Sequence, residues 1–567
     1  MLNPEVNLRT SAEICSQIAS YFDVVDNCVA VSDTNKQYSI NPQTSYSPSP
    51  PIKAGSYTSV IISPNTHNTA DIYNGFIRAD LFVKLRIKDA AAMDTITIND
   101  KYYFNKIWFG FKDARDAIEK YEIVANGITI YTQNFGCEES FLTSCCSSED
   151  SKRADIQSKT RHKDVWKGKK RCGVIFNWTN GETAEGTIKL KIDLRRFLPL
   201  SNIKYLPAFA GKIELRLYFS CAGMVCCPCG PDPEFLNDRR FSNIKFDQIT
   251  NEFSPVGEPI FIYTTANTDY KKDTTTKPVQ NQIEKPVAGE LPSNGTLLEE
   301  KETEDSATIL EDPAPIRSHK RTFIVDDYEV RECSSIIPCF GIDQNVYTGL
   351  VQRYSNPEHP LTFPTQTLSI YTCTSPLKNT DDKCTITITP RFVDSIFLLF
   401  PLKHTHRTYF KNPHFTSFQL NCGGYGNIPA KPFSTCGDKP EFLEYCQNAM
   451  NLNGDQIGFN KEVIDSLRNT DEPYSSRFGR CPRDRTSFFI GLPTETDGTY
   501  QQGLTSLAPI NFEIMITQKD GPNSFAKNTN TPPLMCLLYD SSISILVQPN
   551  GMPPLVRIGN YDITTPE

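Results

Sequence analysis

The sequence predicts an all-β protein made of two large antiparallel sandwiches in tandem. Three observations carry that reading. Apolar and polar residues alternate with period two over long stretches. An Asn-Gly pair, Asn126-Gly127, sits between two such stretches, and this dipeptide is the strongest short hairpin signal because a type I′ turn needs positive φ at both central positions. The chain has 567 residues, and a single core stops growing beyond roughly 250–300, so two domains are the natural expectation. Aromatic residues make up 11% and there are 40 prolines, a mixture that suits many short strands joined by Pro-rich loops.

Residues 1–55 read as an arm. Thr10 and Glu13 have capping-box spacing, and Ile14, Ile18, Tyr21 and Phe22 then form an apolar stripe at helical spacing. The stretch "PQTSYSPSPPIKAG" breaks regular structure after it. An amphipathic helix set off in this way docks either on a neighbour or on its own domain.

Residues 56–270 read as the first sandwich. "DLFVKLRIK" places Leu81, Val83, Leu85 and Ile87 inward and Lys84, Arg86 and Lys88 outward. "GTIKLKIDLRR" and "GKIELRLYF" repeat the pattern with Ile188, Leu190, Ile192 and Leu194, and with Ile213, Leu215, Leu217 and Phe219. Such alternation belongs to antiparallel strands with one wet face. Between them, "FKDARDAIEKYEIVANGITIYTQN" starts helix-like over Asp113–Glu119. It then becomes a hairpin, with Tyr121, Ile123 and Ala125 on the apolar face and Ile128 and Ile130 continuing it.

Residues 271–320 are polar, Pro-rich and acidic. They lack the apolar surface to offset their ordering entropy, so they read as a linker or a long exposed loop. Residues 321–567 read as the second sandwich and a C-terminal tail. Ile386 and Ile388, then Phe512, Ile514 and Ile516, then Ile543, Ile545 and Val547 alternate, whereas "DSIFLLFP" is a continuous apolar run of the kind buried on both faces. The halves share an order of parts. "KIWFGF", the hairpin and "CEESFL" in the first correspond to "SIFLLFP", "FTSFQLNCGGYGNIP" and "KPEFLEY" in the second. Two copies of one sandwich fold would give this.

Charge and cysteine usage narrow the function classes. The formal net charge is −8, so wholesale coating of nucleic acid is not the bulk design. The N-terminus lacks a signal-peptide pattern, and no run of about 18 apolar residues exists to span a bilayer. With 19 cysteines and no export signal, reduced thiols are expected, and the sequons at Asn177 and Asn294 are expected to be silent.

The stretch from Phe111 to Asn134 resembles the hairpin region of double jelly-roll major capsid proteins of the Maverick/Polinton and virophage type. "DLRRFLPLSNIKYLPAFAGKIELRLYF" is similar to another segment of that family's first jelly roll, and "PLTFPTQTLSIYT" and "TETDGTYQQGLTSLAPINFEIMI" to segments of its second. The likeness spans most of 60–560 and rests on pattern and order. It implies two tandem eight-stranded antiparallel jelly rolls with short helices in their loops. It further implies homotrimeric, pseudo-hexameric capsomers that tile an icosahedral shell. The partners would then be other copies of the chain and a penton or minor capsid protein, with no enzyme activity and no cofactor. The location would be the virion capsid, assembled inside the host cell. The long acidic segment and the number of cysteines depart from that pattern. A non-viral β-sandwich binding or adhesion protein, or a hydrolase on a tandem jelly-roll scaffold, stays open as an alternative.

Few constellations suit chemistry. Cys221, Cys226, Cys227 and Cys229 are four thiols in nine residues, but a zinc knuckle wants two separated pairs. No metal is expected, and these four, with Cys137, Cys145 and Cys146 in the same half, are the zinc candidates the spacing leaves. His404 and His406, with His414 nearby, have ligand-like spacing without an acidic partner. Glu495 and Asp497 read as a polar loop, and "CGGYGNIPA" lacks the Lys-Ser/Thr of a phosphate loop. No G-x-S-x-G elbow is present. The run Ser151 to Arg171 holds nine Lys/Arg against two Asp, with Trp166 among them. Lys167, Lys169, Lys170 and Arg171 are its candidates for contact with phosphates of genomic DNA, against the alternative of a solvated insertion.

Overall fold

The computed structural model describes residues 18–26, 39–43, 52–53, 56–63, 69–87, 97–98, 101–102, 106–145, 173–177, 183–228, 247–248, 323–357, 359–436, 445–446, 487–494, 503–521, 524–548 and 552–560. Within them the chain forms two antiparallel sandwiches.

The first sandwich has two four-strand frames. One runs β1 (Ser39–Gln43), β11 (Phe323–Phe340), β3 (Phe76–Ile87) and β8 (Thr183–Asp193) in spatial order. The other runs β2 (Thr58–Ile62), β9 (Ile213–Phe219), β5 (Ile118–Ala125) and β6 (Ile128–Gln133). A further sheet is built from the excursions between these strands, with β4 (Lys106–Gly110) between β7 (Gly173–Asn177) and β10 (Val225–Pro228).

The second sandwich repeats the same wiring. β12 (Leu361–Thr372), β19 (Leu534–Leu546), β14 (Val393–Leu399) and β17 (Ile490–Pro493) form one sheet. β13 (Lys383–Ile388), β18 (Ile510–Gln518), β15 (Phe415–Cys422) and β16 (Asn427–Phe433) form the other. Counting framework strands along the chain, each sandwich places its first strand beside its eighth, then the third and the sixth. The opposite sheet holds the second, seventh, fourth and fifth. That is the eight-stranded jelly roll, made twice. β20 (Leu555–Asn560) adds to β19 at its far end.

The period-two faces land as the pattern requires. Leu81, Val83, Leu85, Ile188, Leu190, Ile192, Ile213, Leu215, Leu217 and Phe219 are all buried. Ile128 departs from the expected apolar face and is 66% exposed. A register irregularity between Thr129 and Tyr131 shifts the pairing of β6 with β5, and such a shift re-aims side chains. The helix-like start of that stretch shortens to a 3₁₀ turn, Ala114–Ala117, capped by Asp113. Asp113 accepts from the Arg115 N–H while Asp116 accepts from the Asp113 N–H.

Pairing moves both expected boundaries of the first sandwich. β1 lies inside the stretch read as an arm, yet it joins the first sheet. β11 opens the half read as the second sandwich, yet its eighteen residues run the length of β3. The acidic stretch 271–320 therefore falls between the seventh and eighth framework strands of the first jelly roll in chain order, and it lies outside the described residues. Composition reveals that a segment cannot join a core; it says nothing about which sheet the chain rejoins afterwards, because strand pairing is non-local. The passage between the sandwiches is instead made by α2 (Gln344–Arg353), capped by Asp343, which leads from β11 into β12.

Candidate functional site: the seam between the sandwiches

The sheet β12–β19–β14–β17 is apolar on both faces. β14 is buried at six of its seven positions, as the run "DSIFLLFP" predicts. One face meets β13–β18–β15–β16. The other meets the first sandwich, whose Phe141, Leu142, Cys145 and Leu198 share one continuous cluster with Leu368, Ile396, Phe410 and Leu537. Phe141 and Phe410 pack edge to face with ring centroids 4.9 Å apart.

The element that covers this face is the helix–hairpin region. β6 leads into α1 (Gly136–Cys145), which is buried on nearly all sides although its first turn carries Glu138 and Glu139. Burying two carboxylates in one helical turn is costly unless each is paired and hydrogen-bonded. Both are. Glu139 forms an ion pair with Arg115, and each side chain is 1% exposed or less. The Tyr121 hydroxyl lies 3.0 Å from both Glu139 oxygens, and the Leu198 N–H reaches Oε1 at 3.4 Å. Arg115 also donates to the Arg196 carbonyl, and its guanidinium lies 4.8 Å from the centroid of the Phe197 ring. Burial alone would lower the pKa of Arg115, but the charge and hydrogen bond of Glu139, with Tyr121 and Asp113 adding to them, together raise it, so the guanidinium stays charged.

Glu138 turns the other way, across the seam. Its carboxylate receives Arg407 of the second sandwich through Nε and through Nη2, the latter at 2.9 Å, and Arg407 Nη1 reaches Glu119 at 3.1 Å. Burial raises the pKa of Glu138 against the opposing pull of Arg407. Asp116, beneath the helix, accepts from Ser140 Oγ at 2.6 Å, and burial followed by the charge of Asp113 pushes its carboxyl up to about 7.

Hydrogen bonds to backbone complete the seam. Gln133 Nε2 donates to the Leu368 carbonyl at 2.8 Å, and Thr365 Oγ1 donates to the Leu198 carbonyl at 3.0 Å. Thr408 Oγ1 donates to the Gly223 carbonyl at 3.1 Å. At the hairpin tip, Asn126 Nδ2 donates to the Pro554 carbonyl just ahead of β20, at 2.8 Å. Residues 18–26 are helical and rest on both halves. Tyr21 and Phe22 pack on Phe363 of β12, Phe22 also meets Tyr205, and Asp26 binds Lys204 and the Tyr205 hydroxyl. Ile18, Tyr21 and Phe22 of the apolar stripe thus dock within their own chain, while Thr10, Glu13 and Ile14 lie outside the described residues.

No family model matches the chain, and no curated protein matches it. Among solved structures, the chain is similar to the cryo-EM structure of the Sputnik virophage, with 11% identity over 94% of this chain and 90% of that one, at a TM-score of 0.48. It is also similar to the mavirus major capsid protein, with 7% identity over 94% and 92% at 0.42, and to the Faustovirus major capsid protein, with 8% identity over 97% of each chain at 0.35.

The residues singled out for chemistry are scattered. Cys221 is buried, and burial raises its thiol pKa. The backbone of Cys226 and Cys227 lies in β10, whereas Cys229 and Cys146 fall outside the described residues. Cys137 and Cys145 sit in α1, where the Cys137 thiol donates to the Asp116 carbonyl at 3.3 Å. Among the described residues no group of three or more His, Cys, Asp or Glu is placed to hold a metal ion. His406 is buried against Tyr409 at 4.9 Å, and burial, with Lys403 and Lys411 adding to it, pushes its pKa down to about 3, while His404 is exposed. Lys167, Lys169, Lys170, Arg171, Glu495 and Asp497 lie outside the described residues. No helix among the described residues is long and apolar enough to cross a membrane.

Arg115, Glu138, Glu139 and Arg407, which hold the seam, carry no sequence signal of their own. Two acidic residues in a first helical turn are ordinary dipole partners.

Proposed function

We propose that the chain is a structural major capsid protein. Three copies would join into a homotrimeric capsomer of pseudo-hexagonal outline, and capsomers would tile an icosahedral shell. The observation that carries this reading is the duplicated jelly roll closed along a buried seam. Two like sandwiches locked side by side, repeated three times about an axis, present six similar outer flanks. Sandwich flanks and edges need covering, and lateral contacts between large obligate subunits cover them. The seam supports the reading because tiling requires that the angle between the sandwiches be fixed, and paired buried charges specify one arrangement where apolar contact alone would allow several.

The partners in this proposal are further copies of the chain and a penton or minor capsid protein, and the location is the virion. The loop with Lys167, Lys169, Lys170 and Arg171 is proposed to meet packaged DNA; neutralising these four should flatten the salt dependence of DNA binding, and an unchanged slope rejects that role. No catalytic role is proposed.

Light scattering on the purified protein tests the central claim. A stable species at three times 63.9 kDa supports the capsomer. A monomer at micromolar concentration rejects it.

A further inference from the structure

We propose that one end of the molecule is a lipid-docking face, where five apolar side chains enter the surface of a bilayer with anionic headgroups. Among the described residues six large apolar side chains are exposed: Tyr57, Tyr73, Ile128, Tyr425, Leu507 and Met552. Scattered singly over a surface, such residues need no explanation. Five of these six stand together.

Consecutive strands of a jelly roll alternate in direction, so the loops after the second, fourth and sixth framework strands share one end. In the first sandwich that end holds residues 72–75, the Asn126-Gly127 turn and residues 194–212. The Ile72 N–H donates to the Lys204 carbonyl at 3.0 Å, the Leu194 N–H to the Gly75 carbonyl at 2.9 Å, and the Asn126 N–H to the Lys212 carbonyl at 2.8 Å. In the second sandwich it holds residues 389–392, 423–426 and 503–509. The Ser506 N–H donates to the Pro390 carbonyl at 2.9 Å, and the Tyr425 hydroxyl to the Thr505 carbonyl at 2.8 Å. The two ends adjoin. Asn126 binds the Pro554 carbonyl, and the next residue, Leu555, pairs with Leu546 at the end of β19. Tyr73, Ile128, Tyr425, Leu507 and Met552 therefore share one end of the molecule. Tyr57 precedes β2 at the opposite end and packs on Tyr218 at 5.6 Å.

The apolar tips protrude rather than line a groove. Leu507 is 92% exposed, and a Cβ added at Gly127, Gly424 or Gly426 would meet no heavy atom within 4 Å. The loops that carry them are nevertheless fixed. The Phe392 N–H donates to Thr505 Oγ1 at 3.0 Å, and Ser506 Oγ donates to the Ala508 carbonyl at 2.8 Å. A protein partner would need a matching pocket for each tip. A bilayer accepts them all in one plane, and loops already held pay little ordering entropy. Charge selects the headgroup. The described loops of this end carry Arg195, Arg196, Lys204, Lys212 and Arg391 and no acid. Asp71, beside the 72–75 turn, is 7% exposed and bonded to Asn74. The carboxylates that meet Arg195, Lys212 and Lys204 belong to β8, β9 and the helix 18–26 rather than to the loops. Arg195 lies 4.9 Å from the centroid of the Tyr73 ring, a cation–aromatic pair of the kind that suits a membrane–water interface.

Flotation of the full-length protein with vesicles tests the face, with phosphatidylcholine alone and with phosphatidylserine added. The protein should float with the second kind and much less with the first. Ile128→Ser, Leu507→Ser and Met552→Ser combined should lower the partition coefficient roughly tenfold or more. Thermal melting checks that this variant is folded, and Leu507→Ser alone should lower binding in the same direction. Tyr57→Ser, at the other end, should bind as the parent does. A parent that floats with neither kind, a folded triple variant that floats as well as the parent, or an equal loss from Tyr57→Ser overturns the proposal. Equal flotation with both kinds rejects the anionic headgroup. A parent that floats with neither kind, beside a triple variant that loses oligomer mass, assigns the face to contact between copies instead. Capsomer formation is read separately by light scattering, and the proposal does not depend on it.

Discussion

Arg407 and Glu138, 269 residues apart in the chain, meet side by side across the seam, with Nη2 to Oε2 at 2.9 Å. Glu138 is 1% exposed and Arg407 18%. This ion pair couples the position of one sandwich to that of the other, beside the hydrogen bonds from Gln133, Thr365 and Thr408 across the same seam.

Removing one partner should therefore cost more than removing both. Arg407→Met leaves a carboxylate without its counter-charge in a place that already favours the neutral form, and should destabilise by about 3 kcal/mol. Pairing it with Glu138→Gln should bring stability back to within about 1 kcal/mol of the parent. Chemical denaturation of both variants measures this, and a single variant as stable as the parent would remove the pair from the account of the seam.

Tyr121→Phe deletes one hydroxyl that serves both oxygens of Glu139. The loss should be about 2 kcal/mol, the range for hydrogen bonds to charged groups. The midpoint of urea unfolding should fall with an unchanged slope, because no additional surface opens.

Asp116 makes the seam pH-sensitive. Its folded pKa, about 7, stands above the ordinary value of 3.8, so the folded state holds a proton that the unfolded state has released. The stabilisation this gives is complete below the unfolded value and is lost as pH rises through the folded one, over a window of about pH 4 to 7. Asp116→Asn should flatten that part of the stability–pH curve. Urea midpoints taken at half-unit steps would show it, and an equal slope in parent and variant would reject the assignment.

Gly503→Ala should disrupt the contact between β14 and the strand-like segment at Leu504. A Cβ at 503 would lie 1.9 Å from the Val393 carbonyl oxygen, and Val393 and Leu504 exchange backbone hydrogen bonds at 3.1 and 2.9 Å. Backbone must move to admit the methyl group, at a cost of about 2 kcal/mol or more. Thermal melting checks it.

How much of this was legible beforehand varies by element. The strands around Leu81, Ile188 and Ile213 declared their inner faces because a sheet with one wet side repeats every two residues. Asn126 and Gly127 do take the positive φ that the hairpin reading demands, 51° and 89°. "DSIFLLFP" announced burial on both faces without saying what the second cover was. The seam charges were not legible, since Glu138, Glu139, Arg115 and Arg407 look like ordinary surface residues until the fold buries them.

The sequence by itself determined the strands, their faces, the principal turn and the presence of two halves, because each depends on neighbours within a few residues. Only the tertiary structure decided that β1 and β11 complete the first jelly roll and that α1 covers the second. Those facts depend on which distant segments meet, and local periodicity carries no record of register between strands hundreds of residues apart.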